Sequence, residues 1–203
     1  MTKVIGICGG SGAGKTTLIN ALKTKLDHLN PCVLSMDNYY KALEKQAKDE
    51  NGATNFDLPS ALDEDKLTHD LNLLLKGEEV HLKEYSFNTQ EDENQFVLSA
   101  EEIIIVEGLF TLHYPGVKAK LDYSIYVDLD KEEQLKRRIK RDTQSRGYSE
   151  EMIRYQWTHH VLPCYAQFLQ PYKNEVDFVF HNDDRSEADF QKLMRELQLE
   201  LNF

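Results

Sequence analysis

The stretch GGSGAGKT, residues 9–16, constrains this chain more than any other part of its sequence. A run of β-branched residues before it, 3–8, predicts a buried strand, and apolar residues at helical spacing follow it. Glycines carry no side chain that would hold the backbone away from a ligand, so their N–H groups can donate to phosphate oxygens. The helix N-terminus adds a partial positive charge at the same place. This strand, loop and helix therefore predict a site for the phosphate groups of a nucleotide.

The residues of this loop have distinct expected tasks. Lys15 is expected to contact the β- and γ-phosphates, and the Thr16 hydroxyl is expected to bind Mg²⁺. The alternative is a glycine-rich turn without a ligand, but the predicted strand and helix around it favour a phosphate site. The sequence lacks the N-K-x-D motif of GTPases, which argues against a GTPase. The expected nucleotide is ATP, and GTP is the alternative. The predicted nucleotide contacts are Gly9, Gly10, Ser11, Gly12, Ala13, Gly14, Lys15, Thr16 and Thr17.

Strand-like and helical segments alternate along the rest of the chain. The further predicted strands are 32–37, 102–108, 123–129 and 177–182, and the later predicted helices are 131–146, 149–169 and 186–199. This alternation predicts an α/β fold in which a parallel sheet is flanked by helices on both faces. A chain of 203 residues fits a single domain, 1–203.

Two segments depart from this alternation. Residues 78–100 contain two alternating polar and apolar runs, which predict a small β-hairpin flap appended to the sheet. Residues 41–55 are charged and poor in large apolar groups, so we expect a mobile loop there, with a short helix as the alternative.

Composition excludes several classes of protein. The formal net charge of −11 argues against a general nucleic-acid binder, although a local basic patch can still hold a small anion. The longest strongly apolar run, 103–106, is far shorter than the about 20 residues that a membrane span needs. Residues 1–2 lead directly into the first predicted strand, so no signal peptide is expected. Cys8, Cys32 and Cys164 form no CxxC pair, so reduced thiols are expected. We therefore expect a cytoplasmic protein that binds a small molecule rather than nucleic acid or a membrane.

Two carboxylates lie at the ends of predicted strands. Asp37 ends one strand and Glu107 lies near the end of the most apolar one. Because ligands bind at the carboxyl edge of a parallel sheet, both are candidate site residues. Asp37 is suited to accept a proton from a substrate hydroxyl or to help hold Mg²⁺, and Glu107 is suited to bind the metal directly or through water. The alternatives are a turn or helix-capping aspartate and a surface glutamate.

A basic cluster, KRRIKR at 136–141, stands out in this acidic chain. On a helix Arg138 and Arg141 are neighbours whose like charges repel, so a bound anion would relieve the repulsion. Arg146 lies just beyond. We interpret residues 136–157 as a helical lid whose arginines close over the transferring phosphoryl group. The alternative is a solvated helix face that is neutralised by acidic neighbours, namely Glu132, Glu133 and Asp142.

Together these stretches resemble the uridine–cytidine kinases, within the wider group of phosphoribulokinase-like P-loop kinases. The resemblance extends from residue 4 to about residue 182 and is carried by GGSGAGKTT, SMDNYYK, NFDLPSALD, KEYSFNT, IIIVEGLF, RRIKRDTQSRG and the glutamine of IRYQW. The glycine-rich loop alone is unspecific, whereas NFDLPSALD after MDNYYK at this spacing is much more specific.

The resemblance implies transfer of the γ-phosphoryl group of ATP, with Mg²⁺, to the 5′-hydroxyl of a pyrimidine ribonucleoside. It implies that Asp37 is the general base and also approaches the metal, with Thr16 and Glu107 at the other metal positions. Asp57 is implied to hold the ribose hydroxyls. Further implied substrate contacts are Tyr40, Phe56, Tyr85, Arg138 and Gln156, and Arg141 and Arg146 match lid arginines on the phosphates. Without the resemblance, Asp57 fits a turn before Pro59, Tyr85 and Phe87 fit ordinary packing, and Gln156 fits a solvated helix surface.

The chain departs from the family pattern where the base is bound. Gln90 stands where the family usually has a histidine that contacts the base, and Asp92 and Tyr148 stand where it usually has arginines. A glutamine can still hydrogen-bond a base edge, so Gln90 stays a candidate substrate contact. These departures support a kinase more firmly than they support uridine as its acceptor.

Other functions stay open at this point. One is a kinase of another small hydroxyl compound, such as a sugar, glycerate, pantothenate or a pyridine riboside. Another is a non-catalytic ATP-binding regulator, and a third is a nucleic-acid 5′-kinase, which the acidic balance disfavours. The resemblance also implies a tetramer, which no residue pattern tests, so we expect a homo-oligomer, a tetramer or a dimer.

Overall fold

Five strands form one parallel sheet in the computed structural model, which describes residues 2–85, 94–100 and 102–201. In spatial order they are β2 (Cys32–Ser35), β5 (Ile103–Gly108), β1 (Lys3–Gly9), β6 (Tyr123–Asp128) and β7 (Phe178–His181). Every neighbouring pair is parallel, so the carboxyl ends of all five strands meet at one edge. The predicted α/β fold with a parallel sheet is confirmed.

The sheet is buried on both faces, and strand β1 shows this best. Val4 and Cys8 belong to the apolar cluster on one face, while Ile5 and Ile7 belong to the cluster on the other. Successive side chains of a strand point to opposite faces, so a strand covered on both sides must be apolar throughout. This explains why the strand sequences are continuous apolar runs rather than alternating ones.

Helices cover the two faces unequally. Helices α1 (Lys15–Lys25) and α7 (Ser186–Leu201) pack on the face of Ile5 and Ile7. The opposite face is covered by α2 (Glu64–Leu75), α3 (Pro115–Lys118) and the helical residues 162–169.

Helix α2 lies where we predicted no helix, although the sequence contains its signals. The side chain of Asp63 accepts a hydrogen bond from the Lys66 amide at 3.0 Å and so caps the helix N-terminus. Leu67, Leu71 and Leu74 are fully buried and recur at helical spacing. The neighbouring resemblance motif, NFDLPSALD, ends at this cap.

The predicted long helix 149–169 is helical throughout but does not keep one hydrogen-bonding pattern. Helix α4 (Lys131–Ser145) precedes α5 (Glu150–Gln156), and a π-helical turn, Trp157–Val161, connects α5 to α6 (Leu162–Cys164). Pro163 has no N–H and its ring crowds the carbonyl four residues earlier, so the preceding turn widens and Leu162 donates to Trp157 five residues back. A second π-helical turn (Tyr165–Leu169) and a 3₁₀ turn (Gln170–Asn174) follow.

The predicted hairpin is present as a separate two-stranded sheet. Strands β3 (Val80–Lys83) and β4 (Gln95–Leu98) pair antiparallel, with Val80 opposite Leu98. The region 41–55 contains a 3₁₀ turn (Leu43–Lys45) and a bridge between Lys48 and Thr54, so it is a folded loop with a single helical turn.

Two further expectations concern the chain as a whole. Cys8, Cys32 and Cys164 are all buried free thiols, and burial raises the pKa of the Cys8 thiol to about 12. In the described ranges, no helix has the length and apolar character needed to cross a membrane.

Candidate active site

The glycine-rich loop lies at the carboxyl edge of the sheet, between the end of β1 and the start of α1. Gly12 and Gly14 have φ of 79° and 100°, a region that glycine adopts without strain. The Lys15 ammonium donates to the carbonyl of Gly9 at 3.1 Å, so the lysine side chain folds back over the loop. The loop residues Ser11, Gly12, Gly14, Lys15, Thr16 and Thr17 line a cavity of about 310 Å³.

Two side chains from distant parts of the chain hold this loop in place. Asn182, which follows β7, donates to the carbonyl of Ala13 at 2.7 Å, and its amide occupies the space that a Cβ at Gly14 would need. Gln134, in the first turn of α4, donates to the Leu129 carbonyl at 2.7 Å, and its backbone carbonyl would lie 2.5 Å from a Cβ at Gly12. The glycines are therefore needed for close packing behind the loop as well as for approach to a ligand.

The two strand-end carboxylates differ in their surroundings. Asp37 is exposed, lies in a 3₁₀ turn (Met36–Tyr39) just after β2, and lines the cavity. Glu107 is not among the cavity-lining residues; its carboxylate accepts a hydrogen bond from the Ser35 hydroxyl at 2.5 Å. Burial raises the pKa of Glu107, the nearby Lys15 ammonium lowers it, and Asp37 raises it further. The charges of Lys15 and Asp37 thus act on the Glu107 carboxyl at the carboxyl edge of the sheet.

The residues present fit a magnesium ion held together with phosphate. Among the described residues no cluster of three or more histidine, cysteine, aspartate or glutamate side chains is able to hold a metal by itself. Mg²⁺ is usually bound by one or two carboxylates plus waters and substrate phosphates, so a complete protein cage is not needed. Thr16 and Asp37 line the cavity, and Glu107 lies beside them. The side chains of all three offer a metal ion only oxygen ligands, as Mg²⁺ prefers.

The basic cluster of α4 converges on a buried carboxylate that the chain itself provides. Asp142 is fully buried, and its oxygens lie 2.7 Å from Arg141 Nε, 3.4 Å from Arg138 Nε and 3.6 Å from Arg146 Nε. All three arginines line the cavity. Burial, with the neighbouring Arg141 guanidinium, lowers the pKa of Arg146. Acidic neighbours do offset the repulsion within the cluster, since Asp142 lies beside three arginines and Glu133 pairs with Lys136 and Arg137. The role of the arginines in a lid stays a prediction.

The opposite wall of the cavity carries the predicted acceptor contacts. Asp57 is 7% exposed, and burial raises the pKa of its carboxyl while the Arg138 guanidinium lowers it. Arg138 Nη1 lies 3.8 Å from Asp57 Oδ1, and Arg138 Nη2 donates to Gln156 Oε1 at 3.1 Å. Asp57 and Gln156, for which the residues alone favoured ordinary structural roles, both line the cavity with Arg138.

Aromatic side chains gather at this end of the cavity. The ring of Tyr40 lies 5.8 Å from that of Phe56, edge to face, and 5.1 Å from that of Tyr85 on the hairpin side. Burial raises the pKa of both tyrosines. Tyr40, Phe56 and Tyr148 line the cavity. Gln90 lies outside the described residues, so its proposed base contact stays a prediction.

Four residues that shape this site were not among the predicted site residues. Asp142 was considered only as a neutralising neighbour, although its i,i+4 spacing from both Arg138 and Arg146 is a readable signal. Asn182 ends the predicted strand 177–182, so the rule that located Asp37 and Glu107 would have found it too. The contacts of Ser35 and Gln134 have no comparable signal in the sequence.

Comparison with known proteins agrees with this geometry. The Phosphoribulokinase / Uridine kinase family matches residues 4–187. A protein of Staphylococcus epidermidis named uridine kinase is 36% identical over 179 residues, which cover 88% of this chain and 86% of that protein. A uridine kinase of Staphylococcus aureus is 35% identical over the same length.

Solved structures show the same fold at lower identity. A protein from Bacillus stearothermophilus described as a possible uridine kinase aligns with a TM-score of 0.64 and 21% identity, covering 88% of each chain. D-glycerate 3-kinase from Cryptococcus neoformans aligns with a TM-score of 0.61 and 15% identity, covering 89% of this chain and 85% of that one. The extent of the family match and the identity to the staphylococcal enzymes show that this chain belongs to the Phosphoribulokinase / Uridine kinase family and is a phosphotransferase.

Proposed function

We propose that this protein transfers the γ-phosphoryl group of ATP to the 5′-hydroxyl of a pyrimidine ribonucleoside, uridine or cytidine. The observation that carries the proposal is that one cavity is lined both by the glycine-rich loop and by Asp57, Arg138 and aromatic rings. Asp37 lines the same cavity, so a hydroxyl could meet a phosphoryl group beside it. The staphylococcal relatives named uridine kinase support this acceptor.

The residues have the following roles in this proposal. The inward-facing amides of the loop and Lys15 hold the triphosphate, and Asp37 orients the acceptor hydroxyl and takes its proton late, because phosphoryl transfer passes through a loose transition state. Arg138 and Arg141 supply positive charge to the transferring group, and Arg146 contacts the phosphates. Thr16, Asp37 and Glu107 would hold Mg²⁺, which supplies charge neutralisation to the phosphates when bound.

The acceptor contacts follow from the opposite wall. Asp57 binds the ribose hydroxyls, and its buried carboxylate favours a partner that donates hydrogen bonds. Tyr40, Phe56 and Tyr85 pack around the base, Gln156 and Arg138 contact the nucleoside, and Gln90 contacts the base edge. Helices α4 and α5 act as a lid that excludes water, which would otherwise accept the phosphoryl group.

A panel of acceptors in an ADP-release assay tests this proposal. We expect uridine or cytidine to give a kcat/KM at least about 100-fold above those of glycerate, a hexose, pantothenate, a pyridine riboside and a 5′-hydroxyl oligonucleotide. Asp37→Ala in the same assay identifies ADP released by a contaminating kinase. A preference for another alcohol would replace the proposed acceptor, and no turnover with any alcohol would favour a non-catalytic ATP-binding regulator.

We also propose that the protein uses ATP rather than GTP and works in the cytoplasm as a homo-oligomer, a tetramer or a dimer. The lack of an N-K-x-D motif supports ATP, and the three free thiols support a reducing compartment. Comparing ATP and GTP as donors tests the first point, and sedimentation of the purified protein tests the last.

A further inference from the structure

A hydrogen-bonded cluster outside the residues assigned so far joins the acceptor wall to helix α5. His160 is 2% exposed, and its Nε2 lies 2.8 Å from Asp49 Oδ2. The Tyr155 hydroxyl donates to the same oxygen at 2.7 Å and accepts from Asn51 Nδ2 at 2.7 Å. We call Asp49, Asn51, Tyr155 and His160 the clasp.

The clasp depends on the π-helical turn. Tyr155 and His160 are five residues apart, and in a regular α-helix residues at this spacing point about 140° away from each other. The i→i+5 turn at Trp157–Val161 widens the helix and brings residues five apart back towards one side. Both side chains therefore reach one carboxylate oxygen. Pro163, which disfavours a regular turn before it, thus determines the geometry of the clasp.

On the other side, the clasp is continuous with the segment that lines the cavity. Asp49 Oδ1 accepts hydrogen bonds from the backbone amides of Asn51 and Ala53, both at 2.9 Å. These two hydrogen bonds fix a tight turn. The turn closes with the bridge between Lys48 and Thr54, and Thr54 lines the cavity. Phe56 and Asp57 follow two and three residues later. A displacement of Asp49 would therefore be passed to the acceptor wall through a short, hydrogen-bonded piece of chain.

On the helix side, Tyr155 directly precedes Gln156, the partner of Arg138. The acceptor wall and the lid are thus connected twice, once by Asp57 with Arg138 and once by the clasp. His160 also lies close enough to Asp57 for its charge to lower the pKa of that carboxyl. The Tyr155 hydroxyl and His160 hold the pKa of the Asp49 carboxyl well below its usual range.

We propose that the clasp, through His160 and Asp49, positions residues 54–57 against the lid and so sets the affinity of the enzyme for its acceptor. These are positioning residues, since none of the four lines the cavity. The inference depends on the proposed function only for the identity of the acceptor.

The test uses matched substitutions in the full chain. His160→Phe keeps an aromatic ring but removes the donor, whereas His160→Gln keeps an amide donor near the position of Nε2. We expect His160→Phe to raise the KM for uridine about tenfold, because a hydrogen bond to a charged group is lost, with kcat and the Kd for ATP within about twofold of wild type. His160→Gln should recover most of this loss.

Controls separate positioning from general destabilisation. His69→Phe makes the same change at an exposed position of helix α2 and should leave the KM within about twofold of wild type. Combining Asp49→Asn with His160→Phe should raise the KM no further than either change alone, since both remove one interaction. Additive effects would overturn the coupling, and an unchanged KM in His160→Phe would overturn the positioning role.

Hydrogen exchange keeps the inference testable if uridine is not the acceptor. His160→Phe, unlike His160→Gln, should speed amide exchange in both 47–57 and 150–161, while exchange in the loop 9–16 stays unchanged. If wild type lacks activity with uridine but this exchange pattern holds, the proposed acceptor fails and the clasp stands. If exchange rises at 150–161 alone, the clasp does not hold the acceptor wall and the inference fails.

Discussion

The two ends of the cavity are built in different ways. The donor end consists of residues 9–17, a continuous loop and helix start held from behind by Gln134 and Asn182. The acceptor end combines Tyr40, the segment 54–57 and helices α4 and α5, which are far apart in the sequence. One end is a short piece of backbone, and the other is a set of contacts between separate segments.

This difference matches where the sequence keeps to the family pattern and where it departs. The donor loop retains every residue type that phosphate binding requires, since its geometry depends on backbone amides and on glycines that few other residues can replace. Of the residues that depart from the pattern, Tyr148 lines the cavity, and Gln90 is predicted to contact the base. The donor end is thus expected to tolerate little change and the acceptor end to set specificity.

The largest effect is expected at Asp37, where the two ends meet. Asp37→Ala should lower kcat about 10³-fold, because the acceptor hydroxyl loses its base, while the Kd for ATP changes less than about threefold. Turnover assays and nucleotide titration measure the two quantities. Asn38→Ala, one residue later, is the control and should keep near-normal turnover. Normal turnover in Asp37→Ala would remove Asp37 from the chemistry.

Next in size is a change confined to the donor end. Lys15→Ala should lower kcat/KM for ATP about 10²- to 10³-fold, since one fixed cation on the phosphates is lost, and should leave the KM for the acceptor near its normal value. Steady-state kinetics with each substrate varied in turn measures this. Lys23→Ala, an exposed lysine of the same helix, is the matched control. A rise in the KM for the acceptor as large as the rise in the KM for ATP would show that the two ends do not act separately.

A change at the acceptor end is expected to lower the free energy of unfolding. Asp142→Asn keeps the shape of a fully buried side chain but leaves Arg138, Arg141 and Arg146 without their shared counter-charge. We expect the free energy of unfolding in urea to fall by about 3 kcal/mol. Glu133→Gln, which breaks surface pairs on the same helix, should cost less than about 1 kcal/mol. A loss of similar size for the two variants would contradict the central role of Asp142.

The smallest expected effect is a gain in stability. The raised pKa of Glu107 means that its carboxyl is harder to ionise in the folded chain than in the unfolded one, so ionisation lowers the free energy of unfolding at high pH. Glu107→Gln should therefore raise the Tm by a few degrees at pH 8. This gain should vanish below about pH 4, where the carboxyl is protonated in both states. Thermal melts across this range measure it, and a gain independent of pH would contradict burial as the cause.

The donor end was largely predictable from sequence because its contacts are local. The strand β1, the loop and α1 follow one another, and the parallel sheet brings Asp37 and Glu107 to the same edge once the strands are recognised. Helix α2 was also predictable from Asp63 and its buried leucines, and was overlooked.

The acceptor end was harder to predict because its contacts join segments about a hundred residues apart. Nothing near Asp49 in the sequence indicates that His160 will lie beside it. The widened turn at Trp157–Val161 follows from Pro163, but a proline in a helical pattern predicts a break or a kink as readily as a π turn. The roles of Asp57 and Gln156 came from the family resemblance alone, and their place in the cavity depends on Arg138, which contacts both.

The packing of Gln134 against Gly12 gives helix α4 a second task as a spacer of fixed length. The helix is anchored to the glycine-rich loop at its first turn, and Arg138 and Arg141 follow four and seven residues later, about 6 and 10 Å along its axis. Adding or deleting one residue between these points would swing both guanidinium groups about 100° around the axis and away from the cavity. The number of residues between Gln134 and the arginines therefore determines where the guanidinium groups lie. We expect no active variant to carry an insertion between them.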